Sequence, residues 1–237
     1  MDIEGSVALV TGGSRGIGRT FVEELQRRGA AKVYAAVRRP EAVDVPGAVV
    51  LPLDITDADS VAAVAQAAPD VTLLVNNAGI SSSTSLVTGD LARIRLEMET
   101  HYFGTLQVVR AFAPVLASNG GGAIVNVLSA LSWFAVEGAN PYAAAKAAEW
   151  NMTNGIRLEL AGQGTLVQGV HLGAADTDMT ADYQGDKIDP AEVARASLDG
   201  VERGDVEVLA DDWSRMIKGM LARHPLEFYG PALAAAR

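Results

Sequence analysis

The stretch "TGGSRGIG", residues 11–18, lies between the apolar run "SVALV" and a helical pattern that starts near Ile17. Its glycines, Gly12, Gly16 and Gly18, follow a G-x-x-x-G-x-G spacing. Glycine lets the backbone turn tightly and approach a ligand without a Cβ in the way, and the N-terminus of a helix attracts an anion. A glycine triplet alone also occurs in ordinary tight turns, but between a strand and a helix it predicts a site for a dinucleotide pyrophosphate.

Beyond this loop, apolar runs alternate with helical patterns along most of the chain. Strands separated by helices pair in parallel through right-handed crossovers, and continuously apolar strands belong to a sheet that is covered on both faces. The chain is therefore predicted to be an α/β protein that forms a doubly wound, Rossmann-type three-layer domain. The predicted strands are SVALVTG, AKVYAAV, AVVLPLD, VTLLVNNAG, GAIVNVLS, TLVQGVHLG and DVEVLAD.

Helices are predicted from about Ile17, from a cap at Thr56 or Asp57, over about 90–117, over about 141–160 and from Pro190. We expect a single domain over residues 1–237. The last segment, residues 224–237, is predicted to be an irregular C-terminal tail that packs on a neighbouring subunit, covers a pocket or frays.

The composition excludes several classes of protein. There is no cysteine, so disulfides and thiolate metal sites are excluded, and the formal net charge of −10 argues against non-specific nucleic-acid binding. No apolar run approaches the ~20 residues of a membrane span, and no basic segment precedes the first apolar stretch. The histidines His101, His171 and His224 show no metal-ligand spacing. We therefore expect a cytoplasmic protein with no metal, membrane or nucleic-acid partner.

The end of the second predicted strand indicates which dinucleotide is bound. A carboxylate there would accept hydrogen bonds from a ribose 2′-OH, but the strand ends "AAVRRP", with Arg38 after Val37. A guanidinium suits a 2′-phosphate, and Arg15 of the glycine loop can reach the same side. The alternative is that these arginines are solvated loop residues. The pair favours NADP(H) over NAD.

A tyrosine and a lysine share one face of the predicted helix that begins at Pro141. Tyr142 and Lys146 stand at positions i and i+4 in "NPYAAAKAAEW". A nearby ammonium favours the phenolate and lowers a tyrosine pKa that is ordinarily ~10, so the phenol can exchange protons with an alcohol or carbonyl oxygen. Alone, such a pair is more often a surface lysine beside a half-buried tyrosine. Ser129, at the end of the apolar strand "AIVNVLS", adds a hydroxyl where ligands bind in open α/β sheets.

The motifs "TGGSRGIG", "LDIT", "NNAG", Ser129 and "YAAAK" occur in an order and at separations that resemble the short-chain dehydrogenases/reductases over nearly the whole chain. Each motif alone is weak, and the set is highly specific. The resemblance implies one Rossmann-type domain with a seven-stranded parallel sheet. It also implies hydride transfer between NAD(P) and a carbonyl or alcohol.

The resemblance implies roles for individual residues. Tyr142 would protonate the carbonyl oxygen as general acid, Ser129 would hydrogen-bond that oxygen, and Lys146 would lower the tyrosine pKa and bind the nicotinamide ribose. Asp54 has a competing role as a turn or cap residue, and Asn76 is expected to bond across the sheet. The other implied cofactor contacts are Gly12, Ser14, Arg15, Gly16 and Ile17 at the phosphate and ribose side, Asp54 and Ile55 at the adenine, Asn77, Ala78 and Gly79 at the adenine-side ribose, and Ala175 and Thr177 at the nicotinamide end.

The chain departs from the family pattern at two positions. In "EMETHYFGTL", His101 stands where relatives have an asparagine that holds a water in a proton path to the lysine. An imidazole can both donate and accept, so we predict that His101 joins the catalytic residues as part of that path; the alternative is plain helix packing. After the sixth strand, Leu172 replaces a proline, which predicts a less rigid turn and an altered pocket rather than lost cofactor binding.

The leading functional hypothesis is an NADPH-dependent reductase of a ketone or aldehyde, acting as a homodimer or homotetramer on a small-molecule substrate. The two departures motivate an alternative from another class, a cofactor-binding sensor or scaffold with little turnover. A serine hydrolase is excluded because no G-x-S-x-G elbow surrounds Ser129.

Overall fold

The computed structural model describes residues 1–43 and 45–235, and at its centre is a parallel sheet of seven strands in the order β3-β2-β1-β4-β5-β6-β7. This confirms the predicted doubly wound α/β fold with a seven-stranded parallel sheet. Each strand lies within its predicted segment, because every one is an apolar run bounded by turn residues. The strands are β1 (Val7–Thr11), β2 (Lys32–Val37), β3 (Val49–Pro52), β4 (Leu73–Asn76), β5 (Ala123–Val127), β6 (Leu166–His171) and β7 (Glu207–Leu209).

Helices cover both faces of the sheet and divide the core into two layers. The helices are α1 (Gly16–Arg27), α2 (Ala58–Ala67), α3 (Leu91–Met98), α4 (Thr105–Ser118), α5 (Asn140–Leu160), α6 (Pro190–Arg203), α7 (Asp212–Met220) and α8 (Pro225–Ala235). One layer packs α1 and α6 on the sheet through side chains such as Phe21 and Leu198. The other packs α2, α4 and α5 through side chains such as Phe112 and Ile156. Of the described helices, none has the length and apolarity of a membrane span.

Aspartates cap four of these helices, including α7, where Asp211 accepts the N–H of Ser214. Asp57, and not Thr56, accepts the N–H of Asp59 at the start of α2. Asp90 and Asp189 do the same for α3 and α6. The start of α1 differs, since Arg15 is extended there and makes no side-chain capping bond. The first N–H groups of α1 therefore remain available to an anion.

The predicted long helix over 90–117 is broken into three parts. A π-helical turn, Glu99–Gly104, separates α3 from α4 and carries His101. Such π-helical turns occur as bulges within α-helices and are frequent at functional sites. The interruption places the His101 ring inside the protein, where 1% of the residue is exposed.

The C-terminal segment is not the irregular tail that the sequence predicts. Residues Pro225–Ala235 form α8, and the last two positions of the tail, 236–237, lie outside the described residues. The Tyr229 ring stacks on Phe134 with centroids 5.1 Å apart, and its hydroxyl accepts the Ala135 N–H at 3.1 Å. The helix therefore packs on the segment that follows Ser129, close to the predicted active site.

The order of the strands brings two loops together at the carboxyl edge of the sheet. Because β4 pairs with β1 on the side away from β2, the chain reverses its direction of winding between β1 and β4. The glycine loop follows β1 and the "NNAG" segment follows β4, so both lie at this reversal. Ligands of open α/β sheets bind in the crevice at such a point.

Candidate active site

Tyr142 and Lys146 lie together at the first turns of α5, as their spacing predicts. The Lys146 Nζ is 5.9 Å from the centre of the Tyr142 ring. Pro141 occupies the first turn of the helix, where its missing N–H costs nothing. The Tyr142 ring also meets His101, with ring centroids 5.2 Å apart in an edge-to-face arrangement.

Ser129 completes a group of three polar side chains. It lies two residues beyond β5 and caps a short 3₁₀ turn, Ala130–Ser132, by accepting the Leu131 N–H at 3.1 Å. Its hydroxyl also interacts with the Tyr142 phenol, where it favours the phenolate. Ser129, Tyr142 and Lys146 therefore face one another at the carboxyl edge of the sheet.

The pKa of Tyr142 moves in the direction opposite to the prediction. Burial raises the pKa of the phenol above its ordinary value, and the Lys146 ammonium opposes this only in part. The sequence shows the cation but not the surrounding apolar packing, so the desolvation of the phenolate could not be anticipated. The consequence is a phenol that stays protonated at neutral pH, which is the form that a general acid requires.

Lys146 is buried and held by two acceptors. Its Nζ donates to the Val127 carbonyl oxygen at 2.7 Å and to Glu149 Oε2 at 2.6 Å. Burial alone would lower the pKa of Lys146, but the Glu149 carboxylate and Tyr142 raise it overall, so the ammonium remains charged. Sequence reasoning missed Glu149, although a glutamate three residues after Lys146 lies on the same helical face.

His101 contacts the residues around this ammonium. Its Nε2 is 2.8 Å from the Ile80 carbonyl oxygen and 3.4 Å from Glu97 Oε2, and its Nδ1 is 3.8 Å from Glu149 Oε2. The ring is thus enclosed by two carboxylates and packed on Tyr142. The structure brings His101 into the same cluster as Lys146, and Glu97 is a second carboxylate that sequence reasoning did not single out.

The glycine loop has the shape of a phosphate cradle. Gly12 and Gly16 adopt φ of +68° and +52°, which favours glycine. A Cβ on Gly18 would lie 2.2 Å from the Gly12 carbonyl oxygen, so the first turn of α1 folds directly onto the loop. Ile17 packs against the core and fixes this turn, whereas Ser14 is half-buried at the rim. Together with the uncapped start of α1, this geometry fits a pyrophosphate.

Thr11 ties the glycine loop to the segment after β4. Its Oγ1 accepts the N–H groups of Asn77 and Ala78 at 3.0 and 3.1 Å, and Asn77 Nδ2 donates to the Thr11 carbonyl oxygen at 3.0 Å. A Cβ on Gly79 would lie 2.6 Å from the His101 ring, so this glycine is needed for packing. The expected cofactor residues of both loops therefore lie side by side, and Thr11 is a structural member that the sequence motifs do not include.

The predicted adenine side contains Asp54, Ile55 and Arg38. Asp54 Oδ1 accepts both the N–H and the hydroxyl of Thr56, at 2.9 and 2.7 Å, so its carboxylate closes the turn before α2. These bonds, with a smaller contribution from the Arg38 charge, lower the pKa of Asp54. Arg38 is exposed beyond the end of β2, and Ile55 packs against the backbone of Gly104.

Arg15, the second arginine expected at the 2′-phosphate, pairs with an acidic residue after β6 in this structure. It forms an exposed ion pair with Asp178, with 2.9 Å between Nη1 and Oδ2. Asp178 follows Thr177, whose methyl group would be 3.1 Å from a Cβ on Gly16. The segment after β6 therefore touches the glycine loop at two points.

The residues predicted to contact the nicotinamide lie in the same segment. Ala175 is buried and bridges to Ile188, and Thr177 caps a 3₁₀ turn that Thr180 closes through the Ala175 carbonyl oxygen. Gly173, after Leu172, donates its N–H to Asp211 Oδ2 at 2.6 Å. A side-chain bond thus restrains the turn that lacks the usual proline.

Comparisons with known proteins agree with this geometry. A family model described as short chain dehydrogenase matches residues 6–187. The crystal structure of a short chain dehydrogenase from Burkholderia cenocepacia J2315 in complex with NADP is 42% identical, covers 98% of each chain and superposes with a TM-score of 0.93. A short-chain dehydrogenase from Streptomyces avermitilis is 27% identical over 99% of each chain, with a TM-score of 0.83.

A curated relative extends the comparison to an enzyme of named activity. The 3-oxoacyl-acyl-carrier-protein reductase FabG of Vibrio cholerae is 35% identical over 189 residues, which are 76% of this chain and 78% of FabG. The family match spans most of the chain and includes the glycine loop, Ser129, Tyr142 and Lys146. The chain therefore belongs to the short-chain dehydrogenase family of oxidoreductases.

Proposed function

We propose that the protein is an NADPH-dependent oxidoreductase that reduces a ketone or aldehyde to an alcohol, with Tyr142 as the general acid. The observation that carries the proposal is the juxtaposition of the Tyr142 phenol with Ser129 and the Lys146 ammonium at the mouth of the dinucleotide crevice. Because burial keeps the phenol protonated at neutral pH, Tyr142 is suited to give a proton to an oxygen that gains negative charge.

Two observations support NADP(H) as the cofactor. Arg38 stands at the end of β2, where an NAD-binding protein would present a carboxylate, and its guanidinium is exposed to a 2′-phosphate. The Burkholderia relative, which is 42% identical, was crystallised with NADP. Arg15 is a second candidate for the phosphate once it leaves Asp178.

Each member of the group has a separate task in this proposal. Bound NADPH supplies the hydride. Tyr142 donates the proton, and Ser129 donates a hydrogen bond to the carbonyl oxygen and so polarises it. Lys146 Nζ has three N–H donors, of which Val127 and Glu149 use two, so one remains for a ribose hydroxyl. We also propose a homodimer or homotetramer, as the family resemblance implies.

The test is NADPH consumption with a panel of ketones and aldehydes. We expect turnover by the protein and a loss of roughly 10²–10⁴-fold in Tyr142→Phe, with NADPH binding retained. Tyr183→Phe, which changes an exposed tyrosine, is the matched control. Turnover that survives Tyr142→Phe would exclude Tyr142 as the acid. Binding of NADPH without consumption of any substrate would favour the sensor alternative.

A further inference from the structure

Four ionisable side chains form one buried cluster beneath Tyr142. Glu97, His101, Lys146 and Glu149 are 0%, 1%, 4% and 2% exposed, respectively. Ionised groups are rarely buried to this extent unless they pair with one another, since their desolvation is costly. The burial of two carboxylates beside a single ammonium is therefore costly and calls for a functional explanation.

Glu149 is the member in direct contact with the ammonium. Its Oε2 accepts from Lys146 Nζ at 2.6 Å, and its Oε1 is 3.4 Å from the Thr105 hydroxyl on α4. The carboxylate is thus held from two elements, and the ammonium is held between it and the Val127 carbonyl oxygen. An ammonium on a flexible four-carbon side chain gains a defined position from this arrangement.

The cluster continues from Glu149 to the surface. His101 Nδ1 is 3.8 Å from Glu149 Oε2 and has no hydrogen-bond partner among the described residues. A displacement of less than about 1 Å would close this distance to a hydrogen bond. On its other side the imidazole meets Glu97 Oε2 at 3.4 Å, and Glu97 Oε1 accepts the N–H of Ser82 at 2.5 Å. Ser82 lies in the loop after β4, between the exposed residues Ser81 and Ser83.

We propose that Glu149 is a positioning residue that holds the Lys146 ammonium and exchanges protons between it and His101. The inference rests on the proposed function. It adds a carboxylate to the group of Ser129, Tyr142 and Lys146. In this arrangement the enclosed His101 and Glu97 connect the ammonium to the protein surface near Ser82.

The protons balance over one turnover. Tyr142 gives one proton to the carbonyl oxygen and regains one from the direction of Lys146. Lys146 regains its proton from Glu149, Glu149 from His101, and His101 from Glu97 and the surface. Each group returns to its starting protonation state, and one proton is drawn from solvent for each carbonyl reduced.

The charges that face the Tyr142–Lys146 pair give the expected sign of a pH effect. The negative charges of Glu149 on α5 and Glu97 on α3 favour the protonated forms of both Tyr142 and Lys146. His101 contributes a positive charge only when it is protonated. Removal of the Glu149 charge makes loss of a proton easier for both the phenol and the ammonium. The first deprotonation of the pair must then move to lower pH, whichever group loses the proton.

The main test compares Glu149→Gln with Glu159→Gln, which removes the same charge from an exposed position of α5. In Glu149→Gln we expect kcat for carbonyl reduction to fall roughly tenfold, the alkaline limb of its pH profile to move down by roughly one pH unit, and the solvent deuterium isotope effect to rise. The NADPH Kd should stay within about twofold, and Glu159→Gln should match the wild-type protein.

Two further measurements keep the proposal independent of substrate turnover and of one variant. A ¹³C NMR titration of Tyr142 Cζ and Lys146 Cε should report the lower first deprotonation in Glu149→Gln. His101→Leu should reproduce the raised isotope effect while Lys146 titrates close to its wild-type position. An unchanged NMR titration in Glu149→Gln, or unchanged pH profiles and isotope effects in both variants, would overturn the proposal. If the wild-type protein consumes no NADPH, the proposed function fails, and the NMR titration still decides whether Glu149 controls the pair.

Discussion

At Tyr142, two electrostatic influences act in opposite directions, and burial is the stronger. A neighbouring cation stabilises the phenolate, but the loss of water around the ring destabilises it by more. The same competition has the opposite outcome at Lys146, where the Glu149 carboxylate and Tyr142 together outweigh burial. The result is a neutral acid beside an ammonium that is charged at rest, an arrangement that suits donation of a proton in a reduction.

Arg38 is the residue on which we expect cofactor choice to depend most directly. We expect Arg38→Ala to raise KM for NADPH roughly tenfold and to change KM for NADH by less than about twofold, because only the 2′-phosphate makes a charge-assisted bond there. Steady-state kinetics with both cofactors provides the measurement. Arg203→Ala, an exposed arginine at the far end of α6, controls for the loss of one positive charge. An equal rise in KM for both cofactors would show that Arg38 does not bind the 2′-phosphate.

At the scale of elements, the contact between β1, the glycine loop and α1 is unusually close. We expect Gly18→Ala to destabilise the protein by about 2 kcal/mol and to weaken NADPH binding, because the new methyl group would meet the Gly12 carbonyl oxygen at 2.2 Å. Gly155→Ala, also in a helix but in open space, should instead stabilise by up to about 1 kcal/mol. Urea unfolding of both variants tests the contrast. Equal effects would show that helix propensity, and not the close approach, sets the result.

A network of charges joins α1 to α6. Arg28 of the α1 C-cap bonds Glu24 at 2.8 Å, and also Asp199 and Glu202 of α6 at 2.7 and 2.9 Å. Hydrogen bonding from Arg27, followed by that from Arg28, lowers the pKa of Glu24 to about 2 against the cost of burial.

The lowered pKa of Glu24 makes the contribution of this network depend on pH. A carboxyl whose pKa is depressed in the folded state stabilises the fold at pH values above its unfolded-state pKa of 4.5. This contribution is lost as the pH falls toward about 2. We expect Glu24→Gln to lower the free energy of unfolding by about 1 kcal/mol at pH 7 and by almost nothing near a pH of about 2. Thermal unfolding across this range is the measurement, with the more exposed Glu23→Gln as control. A difference that stays constant with pH would mean that Glu24 acts through packing rather than charge.

At the scale of the whole molecule, several large apolar side chains on the α3–α5 side remain exposed. Leu158 of α5 is 81% exposed, Leu96 is 50% exposed and Phe103 is 46% exposed. These side chains are the ones that pairing of two copies through the long helices would bury. We expect sedimentation velocity to give a dimer or tetramer, and Leu158→Glu to reduce the assembled mass. Val87→Glu, at a loop residue that is 96% exposed, should leave the mass unchanged. A wild-type monomer would contradict this expectation.

Much of the fold and part of the candidate site follow from local patterns in the chain. The strands are continuous apolar runs, α2 and α6 begin at their aspartate caps, and the glycine loop stands between β1 and α1 as its motif requires. Tyr142 and Lys146 meet because residues four apart share a helical face. Asn76 Nδ2 donates to Asn126 Oδ1 at 2.8 Å, which is the cross-sheet bond expected of it.

Other features depend on contacts between residues that are distant in sequence. The π turn places His101 between Glu97 and Glu149, Thr11 bonds the loop after β4, and α8 packs on Phe134. None of these has a periodic or compositional signal, because each arises only when separate elements pack.

The sequence by itself determined the order of strands and helices, the glycine loop and the helical spacing of Tyr142 and Lys146, since these are properties of neighbouring residues. Tertiary structure alone decided the direction of the Tyr142 pKa, the approach of His101 to Glu149 and the partner of Arg15. Burial, and the distances between charges on different elements, exist only once the chain has folded.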